Sequence, residues 1–217
     1  MISCILFDMD GVLVDTERLH FRLWREILSP HGVDLDLAHY QLAVSSNRES
    51  LFRVVSESYG VDLSADKTAM EHDFSRRKTE YFRTEGVPRI PGVTDTVHQL
   101  RRRGYRMAVA SSSPERDIVK CIGMLGLTDC FDAFCSGRNA AHPKPAPDVF
   151  LMAVSAMNVR PEECLVIEDS RNGVLAARAA HIRCWGFENP GSGRQDLSEA
   201  QWRFRDFHQL LAKLPAL

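Results

Sequence analysis

The chain has 217 residues, of which 44% are hydrophobic and 26% charged, which is enough for one buried core and a smaller accessory unit. Its net charge of -2 gives no electrostatic reason to expect nucleic acid or an anionic membrane as a partner. No apolar stretch reaches the length of a membrane span and no signal-peptide pattern is present, so we expect a cytoplasmic protein.

The first predicted strand, residues 2–7, runs directly into the sequence Asp8-Met9-Asp10-Gly11. Side chains two apart in an extended strand point the same way, so Asp8 and Asp10 can face one site while Gly11 allows a sharp turn. One carboxylate can then attack a phosphate ester, and the other can donate and accept the proton. A strand followed by an ordinary acidic turn is the alternative interpretation.

Residues 16–88 show helical patterns at 17–28, 49–59 and 66–84 and no convincing strand. We predict that they form a helical-bundle cap domain, inserted immediately after the aspartate pair. Residues 1–15 and 89–217 are predicted to form the core domain.

The rest of the chain alternates short apolar runs with amphipathic stretches. Strands are predicted at 105–110, 132–135, 164–167 and 182–187, and helices at 93–103, 114–125, 147–157 and 170–180. This alternation predicts an α/β fold with a Rossmann-like parallel sheet and helices on both faces. Active sites in such folds lie at the carboxyl ends of the strands.

Two of these strand ends carry groups suited to phosphate. One strand runs into Ser111-Ser112-Ser113-Pro114 at the start of a predicted helix, where hydroxyls and free backbone amides make an anion site. Lys144 stands between prolines that stiffen its loop. The structural alternatives are an ordinary helix start for the serines and a helix beginning at Pro147 for the lysine loop.

The strand at 164–167 runs into Glu168 and Asp169, and carboxylates of this kind suit a metal ion. Asp8, Asp169 and the Asp10 carbonyl are candidate ligands of Mg²⁺. Carboxylates about 4 Å apart repel by roughly 4 kcal/mol per pair at an effective dielectric near 20. A divalent cation together with Lys144 would bring this charge close to balance.

With these motifs in this order, the chain resembles the haloacid dehalogenase superfamily of phosphotransferases over its whole length. The resemblance implies that Asp8 is the nucleophile and that Asp10 is the general acid and base. It further implies that Ser111 and Lys144 bind phosphate. The metal ligands implied are Asp8, Asp10, Glu168 and Asp169.

The inserted segment resembles the cap of the subfamily that contains β-phosphoglucomutase and small sugar-phosphate phosphatases. Candidate substrate contacts are His20, Trp24, Asn47, Arg48, Lys78 and, from the core, Ser112. Packing of His20 and Trp24 within a cap helix is the alternative interpretation. Mutases of this group carry an arginine where Asn47 stands, with Arg48 one position late here, which weakens a mutase interpretation.

Two other departures from the family pattern lie outside the required chemistry. Arg138 and Asn139 stand where an acid is common. His181 replaces a frequent helix-ending glycine, which predicts a strained or different helix end there.

We therefore expect a Mg²⁺-dependent phosphatase that hydrolyses a small phosphorylated metabolite, with a sugar or polyol phosphate favoured, through an aspartyl-phosphate. A β-phosphoglucomutase-like mutase is the alternative among enzymes, and a non-catalytic binding or regulatory domain is the alternative outside them. We expect a monomer or weak dimer, with no nucleic-acid or membrane partner.

Overall fold

A computed structural model of the chain describes residues 1–44 and 48–217, with the side chain of Arg48 also left undescribed. All six strands pair in parallel in one sheet, in the order β3-β2-β1-β4-β5-β6. The strands are β1 (Cys4–Phe7), β2 (Arg106–Ser111), β3 (Ala133–Ser136), β4 (Cys164–Glu168), β5 (Arg183–Phe187) and β6 (Trp202–Phe204). The predicted parallel α/β fold is confirmed.

Nine α-helices lie in the described chain, five of them between β1 and β2 and four after β2. The first four are α1 (Glu17–Leu28), α2 (Leu37–Gln41), α3 (Arg48–Tyr59) and α4 (Lys67–Glu85). The others are α5 (Val93–Arg102), α6 (Glu115–Leu125), α7 (Asp148–Met157), α8 (Arg171–Ala179) and α9 (His208–Lys213). Within residues 1–44 and 48–217, no helix is long and apolar enough to cross a membrane.

The strand β1 packs against an apolar layer on each face, because successive side chains of a strand point to opposite sides. Ile5 and Phe7 belong to one buried cluster, which includes Leu100 of α5. Leu6 belongs to the other, which includes Phe150 of α7. The sheet is therefore covered on both sides, which leaves its strand ends as the place for polar groups.

The helices α1, α3 and α4 join through aromatic contacts. Trp24 of α1 stacks on Phe74 of α4 with ring centroids 4.7 Å apart, and it meets Phe52 of α3 edge-on at 5.6 Å. These side chains belong to the same buried cluster as Phe7 of β1, so apolar packing is continuous between these three helices and the sheet. Assignment of residues 16–88 to a separate cap domain stays a prediction.

Candidate active site

A cavity of about 100 Å³ lies beyond the carboxyl ends of β1 and β2, beneath the helices α1 and α4. Asp8 and Asp10 follow β1, and Ser111 ends β2. Because neighbouring parallel strands end at one edge of the sheet, residues distant in sequence meet at this edge. Ser112 also lines the cavity, and its contact with substrate stays a prediction.

Lys144 lies between two carboxylates at the centre of this edge. Its Nζ donates to Asp8 Oδ1 at 2.6 Å, to Glu168 Oε1 at 2.7 Å and to the Ala110 carbonyl at 3.3 Å. The lysine side chain is completely buried. The structure thus brings together three of the groups that the sequence assigned to one site.

Hydrogen bonds to both carboxylate oxygens hold Glu168 in place. While Oε1 accepts from Lys144, Oε2 accepts from the Asp169 amide at 2.9 Å and from the Ser170 amide and hydroxyl at 3.1 and 2.9 Å. Ser170 also caps α8, because its Oγ accepts from the amide of Gly173 at 3.0 Å. Glu168 is therefore positioned to orient Lys144, and its direct contact with a metal stays a prediction.

The residues Asp8, Glu168 and Asp169 form a cluster in which one carboxylate oxygen of each lies within 4.8 Å of the others. All three are buried. Among the described residues, Asp8 Oδ2 and Asp169 Oδ1 have no hydrogen-bond partner. Buried carboxylate oxygens without partners are costly, and hard oxygen donors are what Mg²⁺ prefers, so this cluster fits the predicted metal ion.

The close approach of Asp169 to the first motif requires the glycine at position 11. Gly11 has φ of +84°, and a Cβ there would lie 2.0 Å from Asp169 Oδ2. Ser192, in the turn after β5, donates a short hydrogen bond to the same oxygen. Sequence reasoning missed Ser192, because a serine in a glycine-rich turn is an ordinary surface feature.

Burial and like charge shift the acids of this cluster. Burial raises the pKa of Asp8 to about 8, although Lys144 acts to lower it. Burial, together with the charges of Glu168 and Asp8, raises the pKa of Asp169 well above its usual value. Burial alone would lower the pKa of Lys144, but the two carboxylates beside it raise it, so Lys144 stays protonated. A divalent cation here would favour the ionised form of both aspartates.

Asp10 differs from Asp8 in that a hydroxyl group donates to each of its carboxylate oxygens. Its Oδ1 accepts from the Thr16 hydroxyl at 2.5 Å, and its Oδ2 accepts from the Ser113 hydroxyl at 2.7 Å. Burial alone would raise the pKa of Asp10, but His20, Lys78 and these hydroxyls lower it below its usual value. Thr16 was not singled out from the sequence, and Ser113 was predicted only as part of the serine run, without its contact to Asp10.

The helical side of the cavity combines aromatic and polar residues. His20 meets Phe74 edge-on at 5.2 Å, with its Nε2 3.9 Å from Asp10 Oδ1. Trp24 lines the cavity and is nearly buried by Phe74. The packing interpretation therefore holds for both residues, and the structure also places both at the cavity wall. Their contact with substrate stays a prediction.

Lys78 of α4 contacts the core directly. Its Nζ lies 2.8 Å from Asp117 Oδ2 on α6, and its side chain is only 5% exposed. Lys78 also lines the cavity, and its ion pair links α4 to the core helix α6. Asp117 gave no signal in the sequence, because acids in the first turn of a helix are common.

Glu17 and Tyr40 form a second buried pair in the cavity wall, with 2.9 Å between Tyr40 Oη and Glu17 Oε2. Burial and the charge of Asp10 raise the pKa of Glu17 to about 8. Of the predicted loop residues, Asn47 lies outside the described residues. Arg48 begins α3, but its side chain also lies outside the description.

With this geometry established, comparison with known proteins places the chain in a family. The sequence pattern of the haloacid dehalogenase-like hydrolase family matches residues 2–181. The chain belongs to this family of hydrolases, which confirms the resemblance found in its motifs. Family membership makes the chain an enzyme by class and leaves the roles of individual residues as predictions.

Three relatives narrow the comparison. The chain is 35% identical to fructose-1-phosphate phosphatase YqaB of Escherichia coli K12 over 182 residues, covering 81% of this chain and 91% of the relative. A crystal structure of mutant CbbY from Rhodobacter sphaeroides with xylulose 1,5-bisphosphate has a TM-score of 0.85 at 27% identity. The match covers 99% of this chain and 100% of the CbbY chain. The crystal structure of β-phosphoglucomutase from Clostridium difficile has a TM-score of 0.82 at 25% identity. The match covers 98% of this chain and 95% of the mutase chain.

Proposed function

We propose that this hydrolase is a Mg²⁺-dependent phosphatase that removes the phosphoryl group of a sugar or polyol phosphate through an aspartyl-phosphate on Asp8. The observation that carries the proposal is the buried pair of Asp8 and Lys144, 2.6 Å apart, beside the acidic cluster with two unpartnered oxygens among the described residues. Similarity to a fructose-1-phosphate phosphatase supports the substrate class.

In the first half-reaction, a carboxylate oxygen of Asp8 attacks phosphorus and the bond from phosphorus to the sugar oxygen breaks. Lys144 and the hydroxyl and amide groups near Ser111 bind the phosphoryl oxygens. Asp10 donates a proton to the departing sugar oxygen. This step requires a protonated Asp10. The entering substrate favours that form, because its negative charge beside Asp10 raises the pKa of that carboxyl.

In the second half-reaction, Asp10 accepts a proton from water as the water oxygen attacks phosphorus. The bond between phosphorus and the Asp8 oxygen breaks, which releases inorganic phosphate and restores the Asp8 carboxylate. The hydroxyls of Thr16 and Ser113 hold Asp10 in a fixed orientation for both proton transfers.

The residues that would hold Mg²⁺ are Asp8, Asp169 and the backbone carbonyl of Asp10. The bound ion would neutralise charge on the transferring phosphoryl group and on the carboxylates around it. Lys144 contributes the second positive charge, held in place by Glu168.

The test is product analysis with a panel of sugar and polyol phosphates in the presence of Mg²⁺, including β-glucose 1-phosphate with a trace of glucose 1,6-bisphosphate. We expect free phosphate and free sugar by NMR. Glucose 6-phosphate in large excess over free phosphate would instead identify a mutase. Absence of turnover with every compound, including an aryl phosphate, would indicate a non-catalytic domain.

The nucleophile is tested by Asp8→Asn, which is nearly isosteric but cannot form an acyl phosphate. We expect this variant to lose turnover and to keep its fold by circular dichroism. Asp129→Asn makes the same charge change at an exposed site outside the cavity and is the matched control. Appreciable turnover in pure Asp8→Asn protein would remove Asp8 from the proposed role.

A further inference from the structure

Arg138 is a basic side chain in the cavity wall that the proposed chemistry does not use. Of the other basic residues lining the cavity, Lys78 is paired with Asp117 and His20 lies beside Asp10. Arg138 is exposed, and among the described residues its guanidinium has no hydrogen bond and no carboxylate within ion-pair distance. Its charge is therefore available to something that enters the cavity.

The backbone that carries Arg138 is fixed to the serine loop after β2. Ser136 Oγ accepts from the Arg138 amide at 3.2 Å and donates to the Ser113 carbonyl at 2.7 Å. A Cβ at Gly137 would lie only 3.3 Å from the Ser112 Cα, so the two loops are in close contact. This packing fixes the base of the arginine next to the predicted phosphate-binding serines.

The sheet order sets the distance between Arg138 and the reacting group. Arg138 follows β3, Asp8 follows β1, and β2 lies between these strands. Neighbouring strands lie about 4.8 Å apart, so the ends of β3 and β1 are separated by roughly 10 Å. A pentose or hexose chain spans such a separation when the anionic groups at its two ends are included. The arginine is thus placed for a group at the far end of the substrate from the phosphoryl group on Asp8.

We propose that Arg138 binds a second anionic group, a phosphate or a carboxylate, at the far end of the sugar phosphate. The proposal rests on the proposed phosphatase function. It narrows the substrate class to sugar phosphates that carry a second anionic group. Guanidinium presents five donors in a planar fork that matches the oxygens of either anion. A sugar monophosphate that has no charged group at the end away from the phosphate would then not contact Arg138.

The test compares three hexose-derived compounds that differ only at the far end: sorbitol 6-phosphate, 6-phosphogluconate and sorbitol 1,6-bisphosphate. We expect the wild-type enzyme to show higher kcat/KM for one or both of the doubly anionic compounds, and their order separates carboxylate from phosphate recognition. Arg138→Gln removes the charge. Arg102→Gln removes an exposed arginine outside the cavity and is the control.

Arg138→Gln should lower kcat/KM about tenfold or more for the preferred doubly anionic compound, mainly through KM, because a charge-assisted hydrogen bond is lost. Sorbitol 6-phosphate and an aryl phosphate should change less than about twofold. An equal loss with every compound, or no loss with any, overturns the inference while leaving the phosphatase function intact. Failure of the wild-type enzyme to release phosphate from these three compounds and also from the aryl phosphate overturns both.

Discussion

At the scale of single residues, hydroxyl groups orient the predicted acid and base. Thr16 is completely buried and donates to Asp10 Oδ1. We predict that Thr16→Val lowers kcat about tenfold, because a hydrogen bond to a charged group contributes about 1.5–3 kcal/mol. Thr96→Val is the matched control, since the buried Thr96 hydroxyl has no partner among the described residues. It should keep kcat and raise the free energy of unfolding by about 1 kcal/mol. Equal kcat in both variants would contradict the role of Thr16.

A second prediction concerns the helix end at His181. This residue has φ of 57°, which confirms the strain expected from a histidine where glycine is common. His181→Gly should raise the free energy of unfolding by about 1 kcal/mol and the Tm by about 2–4 °C, because glycine adopts this conformation freely. Asn158→Gly, at φ of 50°, should change the Tm less, since asparagine tolerates the left-handed region. A larger gain at position 158 would contradict this explanation.

The residues that the sequence could reveal are those whose chemical type and strand-end position are both unusual. Asp8, Asp10, Lys144 and Asp169 met that condition, and the structure brings them to one edge of the sheet. Ser192 did not, although it bonds directly to Asp169. Its partner depends on how a turn folds in space, and no periodicity or spacing encodes that contact.

At the scale of elements, α8 holds the acidic motif by direct contact. A Cβ added at Gly173 would lie 1.8 Å from Glu168 Cδ, so Glu168 would have to move. We predict that Gly173→Ala lowers kcat at least about tenfold, because displacement of Glu168 misplaces Lys144. In α6, a Cβ at Gly123 would meet its nearest atom at 3.7 Å. Gly123→Ala should keep kcat and stabilise the protein by about 0.5–1 kcal/mol. Full activity of Gly173→Ala would show that the motif tolerates the shift.

The link between α4 and α6 gives a further prediction. Asp117→Asn leaves Lys78 buried without its carboxylate, so the free energy of unfolding should fall by about 3 kcal/mol. Glu80→Gln breaks the exposed pair with Arg83 within α4 and should change stability by less than about 0.5 kcal/mol. Thermal denaturation of both variants measures the difference. Asp117→Glu should recover part of the loss; a uniform loss in Asp117→Glu and Asp117→Asn would show that packing, rather than the ion pair, carries the stability.

Strands and helices were predicted correctly from the sequence where the segment was long enough for its hydrophobic pattern to repeat. Every predicted strand and helix is present, with ends that differ by at most two residues. The missed elements are the short ones: α2 has 5 residues, α9 has 6 and β6 has 3. A segment of that length completes too few turns or alternations for its apolar positions to show a period.

At the scale of the whole molecule, the small volume of the cavity limits what can bind at the site. Its volume of about 100 Å³ is well below the roughly 300–1,000 Å³ of ordinary ligand pockets. We therefore expect the helices α1 and α4 to move away from the core when a sugar phosphate enters and to close over it afterwards. The ion pair of Lys78 and Asp117 bridges that junction, so opening involves its rupture as well as loss of apolar contact.

The acidic cluster couples metal binding to the stability of the whole fold. The pKa of Asp169 is higher in the folded protein than its usual value, so the ionised carboxylate costs folding free energy at every pH above that usual value. We predict that Mg²⁺ raises the Tm of the wild-type protein, with a stabilisation of about 2.7 kcal/mol at one hundred times the dissociation constant. Thermal denaturation with and without excess chelator measures this shift.

Variants of the two acids next to the metal site should move the metal-free Tm in opposite directions. Asp169→Asn removes a charge from the cluster, so it should raise the Tm in chelator and abolish the shift with Mg²⁺. Glu168→Gln deprives Lys144 of a partner, so it should lower the Tm in chelator and keep part of the shift. Ca²⁺ should also raise the wild-type Tm yet support little turnover, because its larger and looser coordination misplaces Asp8. A full Mg²⁺ shift in Asp169→Asn would remove the metal ion from this cluster.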